Sequence, residues 1–120
     1  MVGQSELAFR ELCREHGTEL CYTPMFISDV FVSSKKYRKK VWQTNEKDRP
    51  LIVQFCGSNA DTLLRAAKMV EKDCDAVDLN LGCPQKVAER GQYGAFMMDR
   101  HHWPNIRKIV STMSRGLSIP

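Results

Sequence analysis

No apolar run in this 120-residue chain approaches the roughly 20 residues needed to cross a bilayer, so a helical membrane span is excluded. The amino terminus has no charged-then-apolar segment, and export is not expected. Paired cysteines are missing as well. Cys13, Cys21, Cys56, Cys74 and Cys83 form no Cys-x-x-Cys, and no histidine stands at finger spacing, which argues against a metal site. An odd number of thiols without an export signal points to reduced cysteines in the cytoplasm, with the nucleus also open. Charge of one sign does not dominate: 18 basic side chains face 14 acidic ones, a formal net charge of +4. That suits a phosphate-bearing partner without demanding one. With 42% apolar and 27% charged residues, wholesale disorder is not expected either.

What is present is an alternation of helical and extended patterns. Glu6 to Glu15 carries Leu7, Phe9, Leu12 and Cys13 at helical spacing, with Ser5 placed as a cap and Gly17 as a stop. Residues 20–23 read as a short strand ended by Pro24, and 26–33 as a helical turn followed by loop. Lys35, Lys36, Arg38, Lys39 and Lys40 then cluster around Tyr37. After a polar connector at 45–49, Pro50 introduces Leu51-Ile52-Val53-Gln54-Phe55, an apolar strand of the buried parallel type. Asn59 or Asp61 caps an amphipathic helix through Val70, residues 76–79 form another strand, and a last helix runs from Trp103-Pro104 towards Gly116. Repeated strand–helix units predict a parallel α/β architecture, and both a doubly wound sheet and a barrel fit the alternation. The first helix has no complete strand before it and the last has none after it, so the chain reads as cut at both ends.

The most informative stretch is 78–98. Asp78-Leu79 ends a strand, and Asn80-Leu81-Gly82-Cys83-Pro84 must turn away from it, holding one thiol at the strand end. In α/β enzymes such strand ends carry the chemistry. Gly91 and Gly94 bracket Tyr93 and suggest backbone approaching something flat or phosphorylated. Gln54, a polar amide within an apolar strand, either bonds a neighbouring backbone group or points into a ligand site. Asn80 poses the same choice. Two amides and a thiol from neighbouring strand ends suit a flat, hydrogen-bonding heterocycle better than a hydrolytic triad. Cys21, Cys56 and Cys74 read as small core residues, and His101 and His102 as surface residues.

Asp78-Leu79-Asn80-Leu81-Gly82-Cys83-Pro84-Gln85, Arg90-Gly91-Gln92-Tyr93-Gly94-Ala95 and Leu51-Ile52-Val53-Gln54-Phe55-Cys56-Gly57 resemble the tRNA-dihydrouridine synthases. The likeness is in particular to the eukaryotic branch acting on the sixteenth and seventeenth positions of the D-loop, and it covers essentially the whole chain. The resemblance implies a flavin mononucleotide (FMN) enzyme on a (β/α)8 TIM barrel, with NADPH or NADH as reductant and tRNA as substrate. It implies that Cys83 is the general acid, that Gln54 bonds the flavin ring, that the backbone of Met1 contacts the flavin and that Asn80 holds the uracil. An ordinary thiol, with a pKa of about 8.5, is mostly protonated near neutrality and can serve as an acid. On this reading a uridine must leave its stack, which favours a loop of folded RNA. Lys35 to Lys40 are candidates for phosphate contact.

Such a barrel typically needs about 250 residues. Residues 1–120 therefore correspond to the amino-terminal half of an FMN-binding barrel: a truncated first strand and roughly the first four β/α units. The other half-barrel and a tRNA-binding domain would lie outside it. The isolated chain is expected to hold FMN weakly or not at all and to reduce no tRNA. Two alternatives are another FMN-dependent pyrimidine reductase and a non-catalytic truncated isoform.

Overall fold

The computed structural model describes residues 3–120, so Met1 lies outside the described residues. The strands are β1 (Cys21–Tyr22), β2 (Phe26–Ile27), β3 (Leu51–Cys56) and β4 (Ala76–Leu79). The helices are α1 (Leu7–Glu15), α2 (Ser28–Ser33), α3 (Lys35–Val41), α4 (Ala60–Lys68), α5 (Lys86–Arg90) and α6 (Trp103–Gly116). All strand pairings are parallel, and the α/β class is as the sequence predicts. The parallel sheet with its helices is what the first units of a barrel present.

β3 is the central strand. Ile52 pairs with Tyr22 and with Ala76, and Phe55 pairs with Phe26 and with Leu79. A strand has two edges, so β1 and β2 share one and β4 takes the other. The register shifts by one residue between Cys21↔Leu51 and Phe26↔Phe55, which marks a bulge at 23–25. Pro24 has no N–H to give there. Thr23 repairs the break: its hydroxyl accepts from the Gln54 N–H at 3.1 Å and donates to the Pro24 carbonyl at 2.9 Å. The expected helical turn and loop at 26–33 is instead a two-residue strand followed by α2, because the Phe26 side chain belongs to the core.

Alternation along β3 divides its two faces. Val53 and Phe55 are fully buried against α2, α4 and α6, in a core with Phe26, Phe31, Leu63, Ala66, Ala67, Ile109 and Met113. Phe31 packs edge-on to Phe55 with ring centroids 5.2 Å apart. Ile52 and Gln54, on the opposite face, are half-buried, as are Asp78 and Asn80. Asn59 is the cap that α4 uses, its side chain accepting from the Thr62 N–H at 2.9 Å. Cys21, Cys56 and Cys74 are buried, as expected of small core residues.

Helix α1 departs from its apolar pattern. Phe9 and Leu12 are exposed, Ser5 makes no capping bond, and the residue the helix buries is Arg10. Its guanidinium grips the fully buried Asp48, with Nε 3.0 Å from Oδ2, and also donates to the Gln43 carbonyl at 2.8 Å. Arg14 adds bonds to the Glu19 and Pro50 carbonyls. The polar connector is thus what holds α1 in place. Gly17 ends the helix as expected, in the left-handed region at φ +90.

Candidate active site

Strands β3 and β4 place Gln54 beside Asp78 by their register, and Asn80 follows one step beyond the end of β4. The Asn80 N–H still donates to the Phe55 carbonyl at 2.8 Å, so the side chain stands on sheet-like backbone although the strand has ended. Its Oδ1 accepts from the Gly82 N–H at 3.2 Å and from the Cys83 N–H at 3.0 Å. This asparagine turn fixes where Cys83 sits.

Those two backbone donors also fix which way the Asn80 amide faces. Its Nδ2 must point away from the turn, and it donates to Gln54 Oε1 at 3.1 Å. Gln54 Nε2 in turn donates to Asp78 Oδ2 at 2.8 Å. A carboxylate only accepts, so the orientation deduced from the turn and the one deduced from Asp78 agree. The result is one directional chain from Asp78 through Gln54 and Asn80 to the amide of Cys83. Both amides that the sequence singles out are brought together with the thiol.

Asp78 is the member that sequence reasoning missed. An acid at a strand end reads as a solvated residue. The available signal was its register opposite Gln54, which requires knowing that β3 and β4 are adjacent.

Cys83 is held from its other side by the glycine loop. The Ala95 N–H donates to the Cys83 carbonyl at 3.0 Å. Gly94 adopts φ +65, and a Cβ built there would lie 2.6 Å from the Cys83 carbonyl oxygen and 2.9 Å from the Cys83 Cβ. The loop's backbone makes a close approach to Cys83 itself. Tyr93, between the two glycines, is buried, as is Cys56. Burial pushes both acids up, the Cys56 thiol to about 12. Cys56 is thus a protonated packing residue behind the site. Between β4 and α6 the chain includes the five-residue α5 and a short 3-10 segment at Gly94–Met98.

Met25, Gln54, Asn80, Gly82, Cys83, Pro84 and Gln85 line a cavity of about 430 Å³. Apolar walls from Met25 and Pro84 with an amide-rich floor match the donor set for a flat heterocycle with hydrogen-bonding edges. His101 and His102 form a separate short 3-10 turn with Arg100 and do not line this cavity. Among the described residues, no group of three or more His, Cys, Asp or Glu side chains converges as a metal site, and no helix is long and apolar enough to cross a membrane.

A parallel β/α fold that gathers a thiol and two amides at the carboxyl ends of adjacent strands has the layout of the active-site face of an α/β barrel. Comparison with known proteins makes the assignment specific. The family profile described as dihydrouridine synthase (Dus) matches residues 1–120, and the chain belongs to that family. It is 50% identical, over its whole length, to the Saccharomyces cerevisiae tRNA-dihydrouridine(16/17) synthase [NAD(P)(+)]. It is 47% identical over its whole length to a rat protein named tRNA-dihydrouridine(16/17) synthase [NAD(P)(+)]-like. A human tRNA-dihydrouridine(20a/20b) synthase [NAD(P)+]-like protein is 44% identical over 83% of the chain. The chain spans 29%, 27% and 32% of these three relatives.

Proposed function

We propose that this chain forms the first part of the catalytic barrel of an FMN-dependent tRNA-dihydrouridine synthase of the 16/17 type, reducing uridine to 5,6-dihydrouridine with NADPH or NADH. The full-length relatives' names support the substrate and the reductant. The observation that carries the reading is the directed bond chain from Asp78 through Gln54 and Asn80 to the Cys83 amide, at the mouth of the amide-floored cavity.

The chain's own residues have separable tasks. Gln54, with its amide oriented by Asp78, offers a donor and an acceptor on one edge to the flavin ring. Asn80 anchors the Cys83 turn through Oδ1 and turns its Nδ2 towards the floor of the cavity, where a uracil carbonyl is a suitable acceptor. When bound, the flavin supplies the two-electron reducing equivalent that C6 of the uracil accepts. Cys83 transfers its thiol proton to C5 as the C5–C6 double bond is lost, and the resulting thiolate recovers a proton from water. The half-buried position of Cys83 on the cavity wall suits both events.

The test is to incubate the purified full-length protein with FMN, NADPH and either unmodified tRNA or free uracil. Dihydrouridine in the tRNA, without reduction of free uracil, is the expected result. Reduction of free uracil alone would replace this reading with a free-pyrimidine reductase.

A further inference from the structure

The positive charge of the chain is concentrated in one place. Residues 35–40 hold five basic side chains, and the other 114 residues hold 13 basic against 14 acidic ones. Outside α3 the chain is close to neutral, so its net charge is a local feature and not a general surface excess.

Within α3 the basic residues divide by task. Arg38 turns inward, its Nη1 donating to the Phe31 carbonyl (2.5 Å) and the Val32 carbonyl (2.9 Å) at the end of α2. Tyr37 also faces the fold, its phenol oxygen accepting from the Ile27 N–H at 3.5 Å. These bonds set the rotation of the helix. Lys35, Lys36, Lys39 and Lys40 are left on the outer side, on an arc of about 140° at 3.6 residues per turn. Among the described residues none of the four is in an ion pair.

Two of these lysines stand where local physics disfavours them. Lys35 and Lys36 occupy the first turn, at the positive end of the helix dipole, and that turn has no acidic residue to compensate. Lys39 and Lys40 lie in the last turn and complement the dipole, so it is the first-turn pair whose charge is left for an anionic partner. The position of the face suits a partner of the active site. Lys40 lines a cavity with Tyr37, Pro24 and Met25, and Met25 also lines the Cys83 cavity. Lys40 thus links the lysine face, through Met25, to the site.

We infer that the outer face of α3 is the surface that takes the RNA backbone beside the reacting uridine, Lys35, Lys36, Lys39 and Lys40 meeting successive phosphates while the base enters the Cys83 cavity. This rests on the dihydrouridine synthase reading. Point-charge lysines read phosphate and not sequence, so the face adds affinity and orientation but no choice among bases.

The experiment compares the full-length protein with its K35Q/K36Q/K39Q/K40Q variant, and with a control removing Lys47, Lys72, Arg107 and Lys108. Binding of an unmodified tRNA transcript is measured over a series of salt concentrations, alongside steady-state dihydrouridine formation and binding to phosphatidylserine vesicles. In the α3 variant the slope of log affinity against log salt should flatten by roughly 0.7–0.9 for each phosphate that a lysine no longer neutralises. KM for tRNA should rise about tenfold or more, as several such phosphates are given up together, with kcat at saturating RNA and the melting temperature unchanged. The control should keep the wild-type slope. An active wild type whose α3 variant keeps its slope and KM would overturn the lysine face. So would lysine-dependent vesicle binding with RNA binding unaltered. A wild type that shows the lysine-dependent slope but forms no dihydrouridine would instead overturn the assigned reaction and leave the RNA surface standing.

Discussion

Replacing Gly94 with alanine should displace Cys83, the proposed proton donor, and the local geometry lets the cost be divided. At φ +65 an alanine is in the left-handed region, which costs an L-residue roughly 1–2 kcal/mol. The new methyl would also overlap the Cys83 carbonyl oxygen at 2.6 Å and its Cβ at 2.9 Å. These are backbone and Cβ atoms that cannot rotate aside, and overpacking of this kind costs about 1–3 kcal/mol more. Two other glycines separate the two contributions. Gly17 has φ +90 but nothing within 4 Å of a built Cβ, so Gly17→Ala should show the backbone cost alone. Gly82 has neither feature, so Gly82→Ala should leave stability nearly unchanged. Chemical denaturation of the three variants in the full-length protein should rank Gly94 above Gly17 above Gly82. The Gly94 loop can relieve its overlap only by moving Cys83, and a shift of about 1 Å at a reacting group can lower turnover on the order of 100-fold. Turnover at saturating tRNA should therefore fall far more for Gly94→Ala than its stability loss explains. A Gly94→Ala enzyme as stable as Gly17→Ala, with wild-type turnover, would show that this glycine does not exist to let the loop close on Cys83.

Three further predictions rest on other parts of the chain. Arg10→Ala strips the main partner from the fully buried Asp48 and should cost about 3 kcal/mol in urea unfolding, moderated by the remaining contacts of Asp48 with Arg14 and Thr44; a change under about 1 kcal/mol would mean the pair does not hold α1. Asp78→Asn keeps the shape but removes the charge from the bond that orients Gln54, and should weaken FMN binding severalfold, about 1 kcal/mol, in a flavin fluorescence titration; unchanged affinity would detach Asp78 from the site. Glu71 accepts from the backbone and hydroxyl of Ser118 and from Lys68, which lowers its pKa to about 2. A lowered folded value means its contribution is complete above the ordinary carboxylate range and is lost as pH falls towards about 2. Melting temperature should therefore drop below about pH 4.5 less steeply in Glu71→Gln than in the wild type, and equal acid profiles would count against this contact.

The parts legible in the sequence are those whose signal is local. β3, β4, α4 and α6 follow from apolar periodicity and flanking breakers, and the placing of Asn80 and Cys83 at a strand end follows from the Asn-Leu-Gly-Cys-Pro run that stops β4. What is illegible depends on partners distant in the chain. Arg10 reads as a solvated arginine until Asp48, 38 residues on, is seen to bury it. Asp78 reads as a surface acid until the register puts it beside Gln54. Helix α5 is five residues long, too short for periodicity to show. Gly94 suggests a ligand because a glycine declares close approach without saying to what.

The mechanism turns on the thiol held by Asn80 being the proton donor, and Cys83→Ala in the full-length protein decides it. FMN binding and tRNA affinity should stay near wild type while dihydrouridine formation is nearly abolished, because among the residues lining the cavity Cys83 alone offers an acidic proton to C5. Wild-type rates of dihydrouridine formation in Cys83→Ala would remove Cys83 from that role.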